Sequence, residues 1–333
     1  MDLNIIWFIL VGVLFAGYAI LDGFDLGIGA LHLFTTSDED RRLMINSIGP
    51  VWDGNEVWLV TGGGALFAAF PEAYATVFSG FYIAFMAFLF ALIFRAVAIE
   101  FRSKQPMKWW RQMWDVGFTV GSILAAFLLG VAMGNIAYGI PLNENHVFAG
   151  SFFDLLHPYT IITGITTVAL FMMHGAIYGV LKTEGELHDK LRGWVQNTII
   201  FFILSYVVTT IFTLLYVPHM ASMIKAHPIY FIVPLITIFT IANIPREYTK
   251  NNDFRAFLSS CVAVISLLAL FGLGVYPNMV YSFPDPANSL TIYNAASSPK
   301  TLIALIGMPL VIGYTSSIYY IFRGKVKLTE ESY

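Results

Sequence analysis

The sequence predicts an all-α, polytopic integral membrane protein with nine transmembrane helices and its N-terminus outside. Three observations lead there. Apolar residues make up 57 % of the 333 residues and charged residues 12 %, about half the charge of an ordinary soluble domain. The apolar residues gather in nine runs, each close to the roughly 20 helical residues that cross a bilayer core of about 30 Å. Lys and Arg, finally, fall almost wholly in alternate connections between these runs.

The same numbers exclude other classes. Mean hydropathy is +0.71, and a soluble globule of this size needs far more charge to cover its surface. A net charge of −3 offers no basic field for nucleic acid. The single cysteine, Cys261, can form no intrachain disulfide and no Cys-rich zinc or iron–sulfur site.

The runs cover residues 5–34, 48–70, 75–101, 116–139, 159–181, 195–217, 229–244, 254–276 and 302–322. The first lacks a basic leader and a small-residue cleavage site, so it reads as a permanent span and not a signal peptide. The second opens on Gly49 and Pro50. The seventh is the weakest, short and interrupted by Pro234. None of the runs alternates with period 2, so a β-barrel is excluded. With the N-terminus outside, the inner segments carry fifteen Lys and Arg, the outer ones only Lys225 and Lys300, and Arg95 alone lies within a span. Such a bias fixes orientation and favours an odd number of crossings.

No Pro-, Gly- or Ser-rich linker divides the chain, so one transmembrane domain is expected over residues 1–333. SDEDRRLMINSI after the first span is echoed by GELHDKLRGWVQNTI after the fifth. The echo suggests two four-helix units, roughly residues 1–139 and 158–276, with an extra ninth helix at 302–322.

Charges at membrane depth are costly and mark wet paths or internal pairs. Asp22 and Asp25 are three residues apart in the first span, and Asp53 and Glu56 likewise in the second, so each pair shares a helix face. At ~1.5 Å per residue, these acids and Arg95 all fall in the inner half of the membrane. Arg95 is expected to pair with Asp22 or Asp25. Paired carboxyls in a poorly hydrated place suit a proton path, and Asp53, Glu56, Asp22 and Asp25 are its candidates. Glycines in the first two spans read as packing sites. Of seven histidines only His174 lies well inside a span, with no second ligand at matching depth. It reads as a satisfied interior histidine, and the chain is expected to ligate no haem or metal.

The motifs together are specific. DGFDLGIG at residues 22–29, NSIGPVWDGNEVWLVTGGGALFAAFP at 46–71 and FSGFY at 78–82 resemble subunit II of the cytochrome bd-type quinol oxidases. So do FRAVAIEFRSK at 94–104, MWD at 113–115 and GELH at 185–188. The resemblance covers the whole chain, although its motifs crowd into the first 135 residues. It implies pairing with a larger, similarly folded subunit I that carries two haems b and one haem d. It implies oxidation of quinol and reduction of dioxygen to water in a bacterial or archaeal cell membrane. It also assigns Asp53 to the proton route and Trp58 to the gas approach or interface. A small accessory transmembrane subunit, lipid and quinone are further expected partners; nucleic acid is not. The chain departs from the pattern in a short outer connection before the seventh span. A proton-coupled secondary transporter is the rival reading, but its broken helices usually occur in both halves, whereas the acids here occupy one. A non-catalytic assembly scaffold is the other.

Overall fold

The computed structural model describes residues 2–298, 308–322 and Gly324. It is an α-helical bundle. Helix α1 (Leu3–Leu31) starts at Asp2, whose carboxylate accepts from the Asn4 N–H at 2.9 Å. A short helical turn leads to α2 (Asp38–Ile48), capped by the Ser37 hydroxyl, with Asp38, Glu39 and Asp40 in its first turn where the helix dipole favours acids. Gly49 and Pro50 break the chain before α3 (Trp52–Ala69). The apolar run at 48–70 therefore contributes its first residue to α2 and its remainder to α3.

Pro71 opens α4 (Pro71–Gly80), and α5 (Tyr82–Phe101) follows after a bend at Phe81. The run at 75–101 was expected to be one helix. Its hydrogen bonds do continue, from the Phe81 N–H to Val77 and from the Phe85 N–H to Phe81, but a Ser79-Gly80 pair is a usual place for a kink. Helices α6 (Lys108–Tyr138), α7 (Pro158–Lys182) and α8 (Gly185–Tyr216) come next. Both α6 and α8 begin well before their apolar runs, because charged turns at a membrane surface remain helical when nothing breaks them. A five-residue α9 (Ser222–Ala226) leads to α10 (Ile232–Thr249) and α11 (Asp253–Val275). Pro234 does not interrupt α10: it stands in the first turn, where an N–H has no intrahelical partner to lose. Pro245 lies inside α10, and the helix runs past it to Thr249, beyond the expected end at 244. The last helix, α12, spans Met308–Ile321; the first six residues of the ninth run lie outside the described residues, as do Lys300, Arg323, Lys325 and Lys327.

Among the described residues, seven helical segments are long and apolar enough to cross a membrane: Leu3–Phe34, Tyr82–Lys104, Lys108–Tyr138, Pro158–Lys182, Gly185–Tyr216, Pro228–Thr249 and Asp253–Val275. Helix α3 is not among them, since Asp53, Asn55 and Glu56 crowd its first two turns.

Helix α1 is the centre of the bundle, packed on α3, α6, α7 and α11, with α5 on α6, α8 on α7 and α10 on α11. Small residues permit the closest approach. A Cβ on Gly27 would lie 1.9 Å from the Phe171 carbonyl oxygen, and one on Gly175 would lie 2.5 Å from the Gly27 backbone. Both positions must therefore be glycine for α1 and α7 to cross here. Gly63 and Gly64 behave differently from the packing role expected of them: a Cβ on either would meet open space.

A second apolar cluster closes the end of the bundle away from α2. It joins Trp7 and Val11 to Phe70, Phe81, Ile140 and Leu290. There β1 (Asn278–Val280) pairs antiparallel with β2 (Leu290–Thr291), a small ribbon that the hydropathy pattern did not reveal. The Ser297 N–H reaches back to the Ala69 carbonyl at 2.8 Å and satisfies the end of α3.

Candidate functional site

One buried charge cluster lies where α1, α3 and α5 meet. The helical period puts Asp22 and Asp25 on one face of α1, and both side chains are fully buried. Arg95, from α5, is also fully buried, although arginine is the largest side chain so enclosed among the described residues. Its Nη2 donates to Asp22 Oδ1 at 2.7 Å and lies 3.8 Å from Asp25 Oδ2. Its Nη1 donates to Glu56 Oε1 at 2.5 Å. Three carboxyls thus surround one guanidinium, and the planar fork of arginine suits that sharing.

Asn55 completes the cluster. Its Nδ2 donates to Asp25 Oδ2 at 2.7 Å and to the Leu21 carbonyl at 3.1 Å. Its Oδ1 accepts from the Tyr319 hydroxyl of α12 at 2.7 Å. Asp22 Oδ2, Asp25 Oδ1 and Arg95 Nε have no hydrogen-bond partner among the described residues. Glu56 sits at the rim, with 22 % of its side chain exposed.

Asp53 is not brought into this ring. It lies one turn before Glu56 on the exposed face of α3, next to Gly54, whose Cβ position is open. Val57 and Val60 continue that face outward. Trp58 points the other way: it is buried within this chain against Leu14 and Tyr18, and a Cβ on Gly17 would meet its ring at 2.2 Å.

A second charge cluster escaped the sequence reading. Asp115, near the start of α6, is 1 % exposed and receives four donors. These are His32 Nε2 at 2.6 Å, Arg41 Nη1 at 2.8 Å, and Arg102 through Nε at 2.5 Å and Nη2 at 3.2 Å. Arg102 also reaches Asp38 at 2.8 Å, and Arg111 binds the other Asp38 oxygen at 2.8 Å. The available signal was Asp115 in the M-W-D motif with Arg102 in F-R-S-K; at a helix end such charges read as solvated.

His174 is enclosed and occupied. Nδ1 pairs with Ser260 Oγ at 2.8 Å, Nε2 with the Ile20 carbonyl at 3.0 Å, and the ring stacks on Phe257 at 5.2 Å. Among the described residues no three His, Cys, Asp or Glu side chains are grouped to hold a metal ion.

The seven apolar helical segments among the described residues, packed around one buried arginine and three carboxyls, define a multi-pass membrane protein whose interior carries ionisable chemistry. The chain belongs to the cytochrome bd terminal oxidase subunit II family, whose model matches residues 3–322. It is 34 % identical to cytochrome bd-I ubiquinol oxidase subunit 2 of Escherichia coli K12, over 97 % of this chain and 95 % of that one. It is 35 % identical to cytochrome bd ubiquinol oxidase subunit 2 of Bacillus subtilis 168, over 99 % and 98 %. Its fold matches a chain in the structure of bd oxidase from Geobacillus thermodenitrificans with a TM-score of 0.80, at 16 % identity, covering 97 % of this chain and 99 % of that one.

Proposed function

We propose that this chain is the haem-free subunit of a quinol-oxidising, dioxygen-reducing complex in a bacterial cytoplasmic membrane, and that it supplies a proton route. The observation that carries this reading is the line of carboxyls running from exposed Asp53, through Glu56 at the rim, to Arg95, Asp22 and Asp25 in the core. One cation among three inner carboxyls leaves room for protons to come and go. The unpartnered oxygens of Asp22 and Asp25 supply further acceptor positions.

In this reading the chain crosses the membrane nine times, with α3 and α12 added to the seven strongly apolar segments, and the N-terminus is outside. It forms one domain of two four-helix units and a last helix. An ionisable Asp53 on an open face cannot lie against lipid tails. Subunit I is the partner that covers it, and the entry to the proton route then lies at the joint of the two subunits. The haems expected in subunit I, two b and one d, would supply the electron transfer from quinol to dioxygen. The residues of this chain bind and pass protons and exclude lipid; Trp58, packed on α1 behind the acid line, borders the gas approach. A small accessory transmembrane subunit, lipid and quinone complete the assembly. The secondary-transporter reading is weaker, because the acids that surround Arg95 lie on α1 and α3, with no matching acid cluster at membrane depth in the second half among the described residues.

Asp53→Asn in the assembled complex tests the route. The change keeps shape and removes the proton-binding function. Haem content from a reduced-minus-oxidised spectrum is expected to stay near that of the unmodified complex, while steady-state quinol oxidation slows. The deficit grows at high pH, where protons are scarce. Full activity at every pH in a haem-loaded preparation would remove Asp53 from the route.

A further inference from the structure

We propose that Tyr319, on the last helix, is a positioning residue for the acid cluster: it holds the Asn55 amide in the orientation that serves an ionised Asp25. This inference rests on the proton-route reading above. Tyr319 and Asn55 are 264 positions apart in the chain, yet the phenol donates to Asn55 Oδ1 at 2.7 Å. The amide's other end donates to Asp25 at 2.7 Å and to the Leu21 carbonyl at 3.1 Å. The Tyr319 ring stands edge-on to Phe24, with centroids 6.5 Å apart, so the hydroxyl is aimed and not loosely placed. Beyond it, the Lys182 ammonium donates to the carbonyls of Phe322 and Gly324, each at 2.7 Å, and ties the end of α12 to α7.

The chemistry turns on the two ends of an amide. Asn55 can offer Asp25 either an N–H donor or a carbonyl acceptor. A carboxylate only accepts, whereas a carboxylic acid also donates. Tyr319 and Leu21 both favour the N–H facing Asp25, and that contact supports the ionised form. Other groups act on Asp25 as well: Asp22 on α1, Glu56 on α3, Arg95 on α5 and Tyr178 on α7, with Tyr18 beside Asp22. Tyr319 differs from these in being a neutral donor carried on the last helix. The seating of α12 thereby sets the pH range over which the cluster exchanges protons.

The test uses the complete complex with subunit I. Tyr319→Phe keeps the ring and removes the O–H. Haem content and yield are expected to be unchanged. The pH–rate profile of quinol oxidation should move toward alkaline pH by about 0.5–1 unit, the size of one hydrogen bond. Infrared titration of the protonated-carboxyl band in the resting complex should move the same way, without turnover. In an Asn55→Ala background, Tyr319→Phe should add nothing; a full-size displacement there would overturn the route through Asn55. An unmoved profile and an unmoved band in Tyr319→Phe would overturn the inference. Should that variant assemble poorly, Asn55→Ala alone decides, since it removes the contact to Asp25: a displacement in the same direction supports the proposal and none defeats it. The two readings fail separately. A displaced infrared titration with Asp53→Asn fully active defeats the proton route alone, and a slowed Asp53→Asn with an inert Tyr319→Phe defeats the positioning role alone.

Discussion

Arg95→Ala is expected to abolish assembly of the complex. The substitution leaves Asp22 and Asp25 fully buried without their cation, and takes from Glu56 its 2.5 Å partner. Breaking a buried pair from one side costs on the order of 3–5 kcal/mol, because the surviving charge keeps its desolvation penalty and loses its compensation. Folded proteins are stable by only about 5–15 kcal/mol in total, so a loss of that size is felt directly in yield. Neutralising the partner, as in Arg95→Ala with Asp22→Asn, should recover part of it, since the pair then disappears together. Yield of the haem-loaded complex and its thermal midpoint measure both variants. An Arg95→Ala complex that assembles at full yield would mean that α1, α3 and α5 are held without the cluster.

Asp115→Ala should be nearly as damaging, for the opposite reason: it strands cations. Arg102 is 1 % exposed and His32 is fully buried, and both lean on Asp115, as does the partly exposed Arg41 of α2. The carboxylate joins the end of α1, the start of α2, the end of α5 and the start of α6. Arg102 then keeps only the half-exposed Asp38 as its anion, and the loss is expected to approach the ~3–5 kcal/mol of a broken buried pair. Arg111→Ala is the useful contrast. It removes a contact to Asp38, whose side chain is 45 % exposed, and exposed pairs contribute only about 0–1 kcal/mol. Thermal midpoints of the two variants, measured side by side, should differ clearly; equal values would show that the Asp115 cluster is no more than a solvated helix end.

Much of the candidate site could be read from sequence, because charge is rare enough in apolar runs to stand out. Asp22, Asp25, Asp53, Glu56 and Arg95 were all visible in that way. Their partnerships were not. Helical spacing puts Asp53 and Glu56 near one another, yet the rotation of α3 turns Glu56 toward Arg95 and leaves Asp53 on the open face. Asn55 lies between them in the chain, and its amide is directed at Asp25 on another helix. Asp115 and Arg102 sit at helix ends, where a charge is ordinarily solvated; their burial follows from the convergence of His32, Arg41 and Arg102 on one carboxylate, which no local pattern shows. Tyr319 looks in sequence like any interfacial aromatic residue.

The sequence by itself determined that this is a helical, multi-pass membrane chain, which segments are apolar, and which family it belongs to. Those properties are local or additive: apolar area, Lys and Arg counts and short motifs carry them without reference to distant residues. Only the tertiary structure decided that one arginine serves three acids, that Asp53 is separated from them, that His174 is fully engaged by Ser260 and the Ile20 carbonyl, and that α12 reaches Asn55. The physical reason is that a periodic helix fixes which residues share a face but not which face meets which neighbour. That choice depends on close crossings such as Gly27 on Gly175 and on pairs tens to hundreds of residues apart. In a poorly solvating interior, where an unpaired charge is expensive, such pairs then fix the rotation of each helix against the next.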